Sequence, residues 1–106
     1  GLTELTWDDT VATAAMTRSK EIEKSFSHTR PDGRNFGTAI TDLGITYRGA
    51  GENIAWGQKT PEAVMNAWMN SEGHRANILN PNYKKLGVGY RTDSQRTPYW
   101  TQLFTY

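Results

Sequence analysis

At 106 residues the chain has the length of one domain, because so short a sequence rarely divides into two cores. A hydrophobic fraction of 36% is low, yet twelve aromatics, four of them tryptophan, offer large buried areas and argue against disorder. A formal net charge of +1, with acids and bases interspersed, gives no electrostatic footprint for a polyanion, so no nucleic-acid partner is expected.

The chain opens at Gly1 with no Met and no basic-then-apolar leader, which reads as an excised domain or a processed product. From Trp7, the positions Val11, Ala14, Ala15, Ile22 and Phe26 recur at helical spacing and predict an amphipathic helix capped by Thr6 or Asp8. The pattern fades into a turn-rich loop, Ser27 to Gly33. Asn35 to Leu43 predicts a second helix with Phe36, Ala39, Ile40 and Leu43 on one side and Gly44 as a left-handed cap. Glu52 to Trp56 has short-strand character. Thr60-Pro61-Glu62 is a start signal for a third helix whose inward stripe is Val64, Ala67 and Trp68. His74 to Leu79 adds one or two further turns, stopped by Pro81.

In Leu86-Gly87-Val88-Gly89-Tyr90 apolar residues alternate with glycines, predicting a strand with one face open to close approach. Asp93 to Pro98 is a hairpin-length connection to a last strand, Tyr99 to Tyr106. The order predicts an α+β fold around a small antiparallel sheet. Trp68 and Trp56 are both expected to be largely buried.

No uncharged run approaches the roughly 20 apolar residues of a membrane-spanning helix, so no transmembrane segment is expected. The absence of cysteine excludes disulfides, thiolate metal sites and a Cys nucleophile. Gly-x-Ser-x-Gly and phosphate-cradling patterns are also missing, and Ser27 and Ser71 read as loop and cap residues.

The two histidines, His28 and His74, sit at element boundaries beside small or polar residues. Such imidazoles serve either a polar cleft or structural hydrogen bonding. Glu52 starts an apolar strand, where a carboxylate is either enclosed with a partner or solvated at the strand end. Glu72 could cap the following helix or face water. Two imidazoles and a carboxylate would suit a divalent transition metal, Zn²⁺ first, if the fold brought them together.

Taken together, Leu5-x-Trp7-Asp8-Asp9, Phe26-Ser27-His28-Thr29, Gly51-Glu52-Asn53-Ile54-Ala55, Ala67-Trp68-Met69-Asn70-Ser71, Gly73-His74-Arg75-x-Asn77-Ile78-Leu79 and Tyr99-Trp100-Thr101-Gln102 follow the order seen in one family. The chain resembles the CAP superfamily, the SCP-like group of cysteine-rich secretory proteins, antigen 5 and plant pathogenesis-related proteins, in its cysteine-free bacterial branch. The resemblance implies a three-layer α-β-α sandwich, secreted or displayed at the cell surface, with a central cleft lined by His and Glu. His28, Glu52 and His74 match cleft positions, and Glu72 falls near the second cleft acid of animal members, offset by about one position relative to Trp68. Tyr99 stands where eukaryotic relatives carry a second cleft His, and Gln102 completes that strand motif. The resemblance further implies that residues 1–106 form one domain lacking the helix that usually precedes Gly1-Leu2.

The function expected first is an extracellular binding or interaction domain, with enzymatic activity left open and no catalytic residue assigned. Its cleft would take a small polar or lipid ligand, or weakly a metal ion on His28 and His74 with Glu52. Its surface would meet a host or envelope partner. The alternative is a metal-assisted hydrolase using His28, Glu52 and His74 to activate water.

Overall fold

Asp8 begins the first helix, its carboxylate accepting hydrogen bonds from the amides of Thr10 and Val11 at 2.9 and 3.0 Å. These amides would otherwise lack intrahelical partners. The computed structural model describes residues 4–106; the expected start at Gly1-Leu2, with its missing leading helix, lies outside the described residues. The helix, α1 (Asp9–Lys24), starts two residues after the expected position because Thr6 and Trp7 form a short strand, β1 (Thr6–Trp7). Val11, Ala14, Ala15 and Ile22 are buried. Phe26, expected on the same face, lies past the helix end and is 49% exposed.

The second helix is a single turn, α2 (Thr38–Thr41). Around it the hydrogen bonds from Thr38, Ala39, Leu43 and Gly44 span three residues, so most of the expected helix is tighter turn structure. Gly44 ends it at φ 85°, as its sequence position predicts. Next come β2 (Ala50–Trp56), α3 (Pro61–Met69), α4 (Glu72–Ile78), β3 (Lys85–Thr92) and β4 (Pro98–Thr105). Thr60 caps α3 by accepting from the amide of Ala63, with Pro61 at the first position.

The sheet runs in the order β1-β3-β4-β2. β4 is antiparallel to β2 and β3, while β1 is parallel to β3, so the sheet is mixed at one edge. Residues on one sheet face pack against α1 and α2 in a core of Val11, Ala14, Ala15, Ala39, Ile40 and Leu103. The other face packs against α3 in a core of Ala55, Val64, Trp68 and Trp100. This is the three-layer α-β-α sandwich.

The glycines of β3 face α1. A Cβ at Gly87 would strike the backbone of Val11 and Ala12, and one at Gly89 that of Ala15 and Met16. Close approach is thus made by the chain's own helix, which lies directly on the strand. Two expectations for α3 and β2 fail. Ala67 is exposed, and Trp56 is 57% exposed, because strand alternation turns it to the face opposite Ala55, where it lies near the end of α1 and lines an open cavity with Ile22, Phe26 and Tyr99. Trp68 is buried at 2% exposure.

Candidate functional site

β2 is an edge strand, and its free edge lies between the loop leaving α1 and the α3–α4 pair. In an antiparallel ladder, alternate residues turn their backbone groups away from the partner strand. On this edge the carbonyls of Glu52 and Ile54 are capped by side chains, Asn77 Nδ2 at 3.2 Å and Trp68 Nε1 at 3.3 Å.

The Glu52 carboxylate is fully buried and held by Arg18, also fully buried: Nε donates to Oε2 at 2.6 Å and Nη2 to Oε1 at 3.1 Å. This bidentate pairing satisfies a charge that burial alone would make very costly. Arg18 also donates to Glu21 at 2.8 Å and to the carbonyl of Ser27 at 2.5 Å, fixing the loop that carries His28. His28 Nδ1 lies 2.8 Å from Glu52 Oε1. A carboxylate paired to a guanidinium only accepts, so Nδ1 carries the proton and Nε2 is left free in the neutral ring. The ring packs edge-on against Phe36 at 6.2 Å, and its side chain is 58% exposed.

His74 sits on α4, with Nδ1 2.8 Å from Ser71 Oγ. Desolvation, and then the neighbouring His28, hold the imidazole below its usual range, which favours the neutral ring. α4 is locked to the sheet by Asn53, whose Nδ2 donates to the His74 carbonyl at 3.1 Å and to Gln102 Oε1 at 3.0 Å. Asn53 Oδ1 accepts from Asn77 Nδ2 at 2.9 Å.

His28, Glu52 and His74 line one open cavity of about 300 Å³, with Asn53, Ser71, Gly73 and Asn77. Glu72 lines neither this cavity nor the adjoining one; it is exposed on the first turn of α4. Tyr99 lies elsewhere, its hydroxyl donating to Asp93 at 3.2 Å, on a separate cavity shared with Phe26 and Trp56. Gln102 is buried behind the cleft, bonded to Asn53 and to the sulfur of Met65. Ser71 occupies the first position before α4, but its hydroxyl serves His74 instead of capping the helix.

For a metal ion, Nε2 of His28 and, with Ser71 Oγ accepting from its Nδ1, Nε2 of His74 would be the donors. Glu52 would orient His28 from behind, as outer carboxylates do. It does not fit as a third ligand, because its side chain is fully buried and turned to Arg18 and His28. Among the described residues no three His, Asp or Glu side chains converge on a point where an ion could sit.

Arg18, Asn53, Asn77 and Ser71 are the positioning residues that sequence reasoning passed over. Arg18 had a visible signal: the stripe 11, 14, 15, 22 skips a turn, and the skipped positions are Arg18 and Ser19, both fully buried.

The sequence matches CAP, described as the cysteine-rich secretory protein family, over residues 1–104. It is 46% identical over 106 residues to YkwD of Bacillus subtilis (strain 168), covering 98% of this chain and 40% of YkwD. To YlbC of the same organism, named a membrane protein, it is 35% identical over 106 residues, covering 98% of this chain and 29% of YlbC. The crystal structure of an extracellular protein containing an SCP domain from Bacillus anthracis str. Ames superposes with a TM-score of 0.89 at 35% identity, covering 98% of this chain and 34% of that one. The chain therefore spans less than half the length of each of these relatives. Among the described residues, no helix is long and apolar enough to cross a membrane. With its α-β-α layers and a match that covers residues 1–104, the chain, which contains no cysteine, belongs to the CAP family of cysteine-rich secretory proteins.

Proposed function

We propose that this is a binding domain, secreted or held at the cell surface, whose His28–Glu52–His74 cleft takes a small polar ligand. The observation that carries the reading is the engagement of Glu52. The hydrolase alternative uses Glu52 to activate water, which needs a lone pair within reach of the proton, whereas its side chain is fully buried and turned to the Arg18 guanidinium and the His28 ring. The cleft offers recognition groups instead: two imidazole rings beside the polar side chains of Ser71 and Asn77. A divalent ion held weakly on the two Nε2 atoms is compatible with the same arrangement. The extracellular character of the Bacillus anthracis relative supports the localisation, and a host or envelope surface is the setting in which such a module would meet its partner.

The alternative, a metal-assisted hydrolase, makes a different prediction. The ¹⁵N-labelled domain is titrated with Zn²⁺ while the imidazole resonances of His28 and His74 are followed, and hydrolysis of generic peptide and ester substrates is assayed in parallel. The domain should be folded without metal, both imidazoles should shift together, and no turnover should appear. Turnover that vanishes in a folded His28→Ala variant would make the domain an enzyme.

A further inference from the structure

A second, larger cavity of about 490 Å³ adjoins the polar cleft along the β2 edge and shares His28, Ser71 and His74 with it. Its remaining lining is mostly apolar, including Phe26, Trp56 and Trp68, and among the described residues contains no Lys, Arg, Asp or Glu side chain. We propose that this groove binds a neutral sugar chain, with pyranose rings laid against Trp56 and Phe26 and a sugar hydroxyl or amide donating to Gln58.

Three observations converge on that ligand class. First, Trp56 and Phe26 are 57% and 49% exposed, and both line this groove and the next cavity, so they stand as a shared wall. Contiguous exposed aromatics along a groove mark a contact surface, and a pyranose presents a C–H face that desolvates such a ring. Secondly, Gln58 lines the groove, and its Oε1 is a buried acceptor without a hydrogen-bond partner among the described residues. An orphan buried acceptor is costly; because that oxygen is closed to solvent, the Gln58 amide must turn toward the groove to meet a donor, which a hydroxyl-rich ligand supplies and a hydrocarbon chain does not. Thirdly, the uncharged lining offers no counter-charge to an ionic ligand. An extended peptide would add to β2 through its edge carbonyls, but those of Glu52 and Ile54 are already taken by Asn77 and Trp68.

The inference rests on the binding-module reading, and the two fail separately. The probes are chitotetraose and cellotetraose, added to the ¹⁵N-labelled domain while the four tryptophan indole resonances are followed. Saturable shifts at the Trp56 indole are expected with at least one sugar, at dissociation constants of about 0.1–1 mM for an open groove. Trp56→Ala should weaken binding about tenfold, the scale of one aromatic contact. Gln58→Leu should weaken it about threefold to tenfold, the scale of one hydrogen bond.

Silence of Trp56 to both sugars up to ~10 mM would overturn the proposal. So would tighter binding at Trp56 by an uncharged tetrapeptide or a monomeric short-chain phosphatidylcholine, or sugar binding unchanged in Trp56→Ala. None of these results touches the Zn²⁺ response of His28 and His74. Cleavage of a bound sugar would retain the groove and overturn the binding-module reading.

Discussion

The most consequential residue is Arg18, a fully buried guanidinium in the middle of α1 that ties together Glu52, Glu21 and the Ser27 carbonyl. Removing one partner of such a pair strands the other charge, which typically costs about 3–5 kcal/mol, while replacing both by apolar groups is often close to neutral. Arg18→Met and Glu52→Leu should therefore each lower the denaturant midpoint strongly, and the double variant should lose much less than the two losses combined. Simple additivity in those unfolding curves would show that the pair is not the unit of stability. Arg18 shows why site chemistry is only partly legible in sequence. Its spacing to Ala14, Ala15 and Ile22 marks it as inward, but its partner is 34 residues away on β2. Only the crossing of α1 over the sheet brings the two together. His28 and His74 carried a clearer signal, since each stands at an element boundary beside small or polar residues.

At the scale of elements, helix α3 and strand β2 separate two tryptophans that the sequence treats alike. Trp68 lies one turn after Val64, and both are buried against Ala55 and Trp100. Its indole nitrogen also caps the Ile54 carbonyl. Trp56 follows Ala55 in an apolar run, yet it points to the other face of the sheet, where α1 has already ended and Phe26 and Tyr99 flank it on an open cavity. Trp68→Ala should cost roughly 3–5 kcal/mol, the range for a fully buried large aromatic, whereas Trp56→Ala should stay within about 0.5 kcal/mol of the parent. Equal losses in thermal or denaturant unfolding would contradict this placement. The long periodic segments were legible for the same reason that Trp68 was: a continuous stripe has one inward solution. The second helix was less legible because Phe36, Ala39, Ile40 and Leu43 fit a helix or successive tight turns equally well. Likewise β1, at two residues, is too short for any period and exists only because β3 lies beside it.

For the whole molecule, the α1 layer is bound to the loop after it by charge as well as by apolar contact. Arg30 pairs with Glu21 at 2.9 Å and Asp42 at 3.1 Å, and Arg34 with Asp32 at 2.8 Å and Asp42 at 2.9 Å. For Glu21, partial burial pushes the carboxyl upward, but hydrogen bonds from Arg30 and Arg18 outweigh it and the net shift is downward. Asp42 is likewise held low by Arg34 and Arg30, and Asp8 by the amide of Val11 despite the opposing desolvation. A carboxyl with a lower pKa in the folded than in the unfolded chain stabilises the fold at pH values above its unfolded pKa. That contribution disappears as pH falls through the folded value. With unfolded values near 4.3 for Glu and 3.9 for Asp, stability from these groups should be fully present above pH ~5 and should decline steadily below it. Asp42 and Asp32 are exposed to solvent, so salt should screen their share, whereas the part due to Glu21 should persist at high ionic strength. Denaturant unfolding at several pH values below 5, each at low and high salt, separates the two shares. In Glu21→Gln the salt-resistant part of the decline should shrink, leaving the share of the Asp8 cap, and an unchanged salt-resistant decline in that variant would assign the acid sensitivity to other carboxylates.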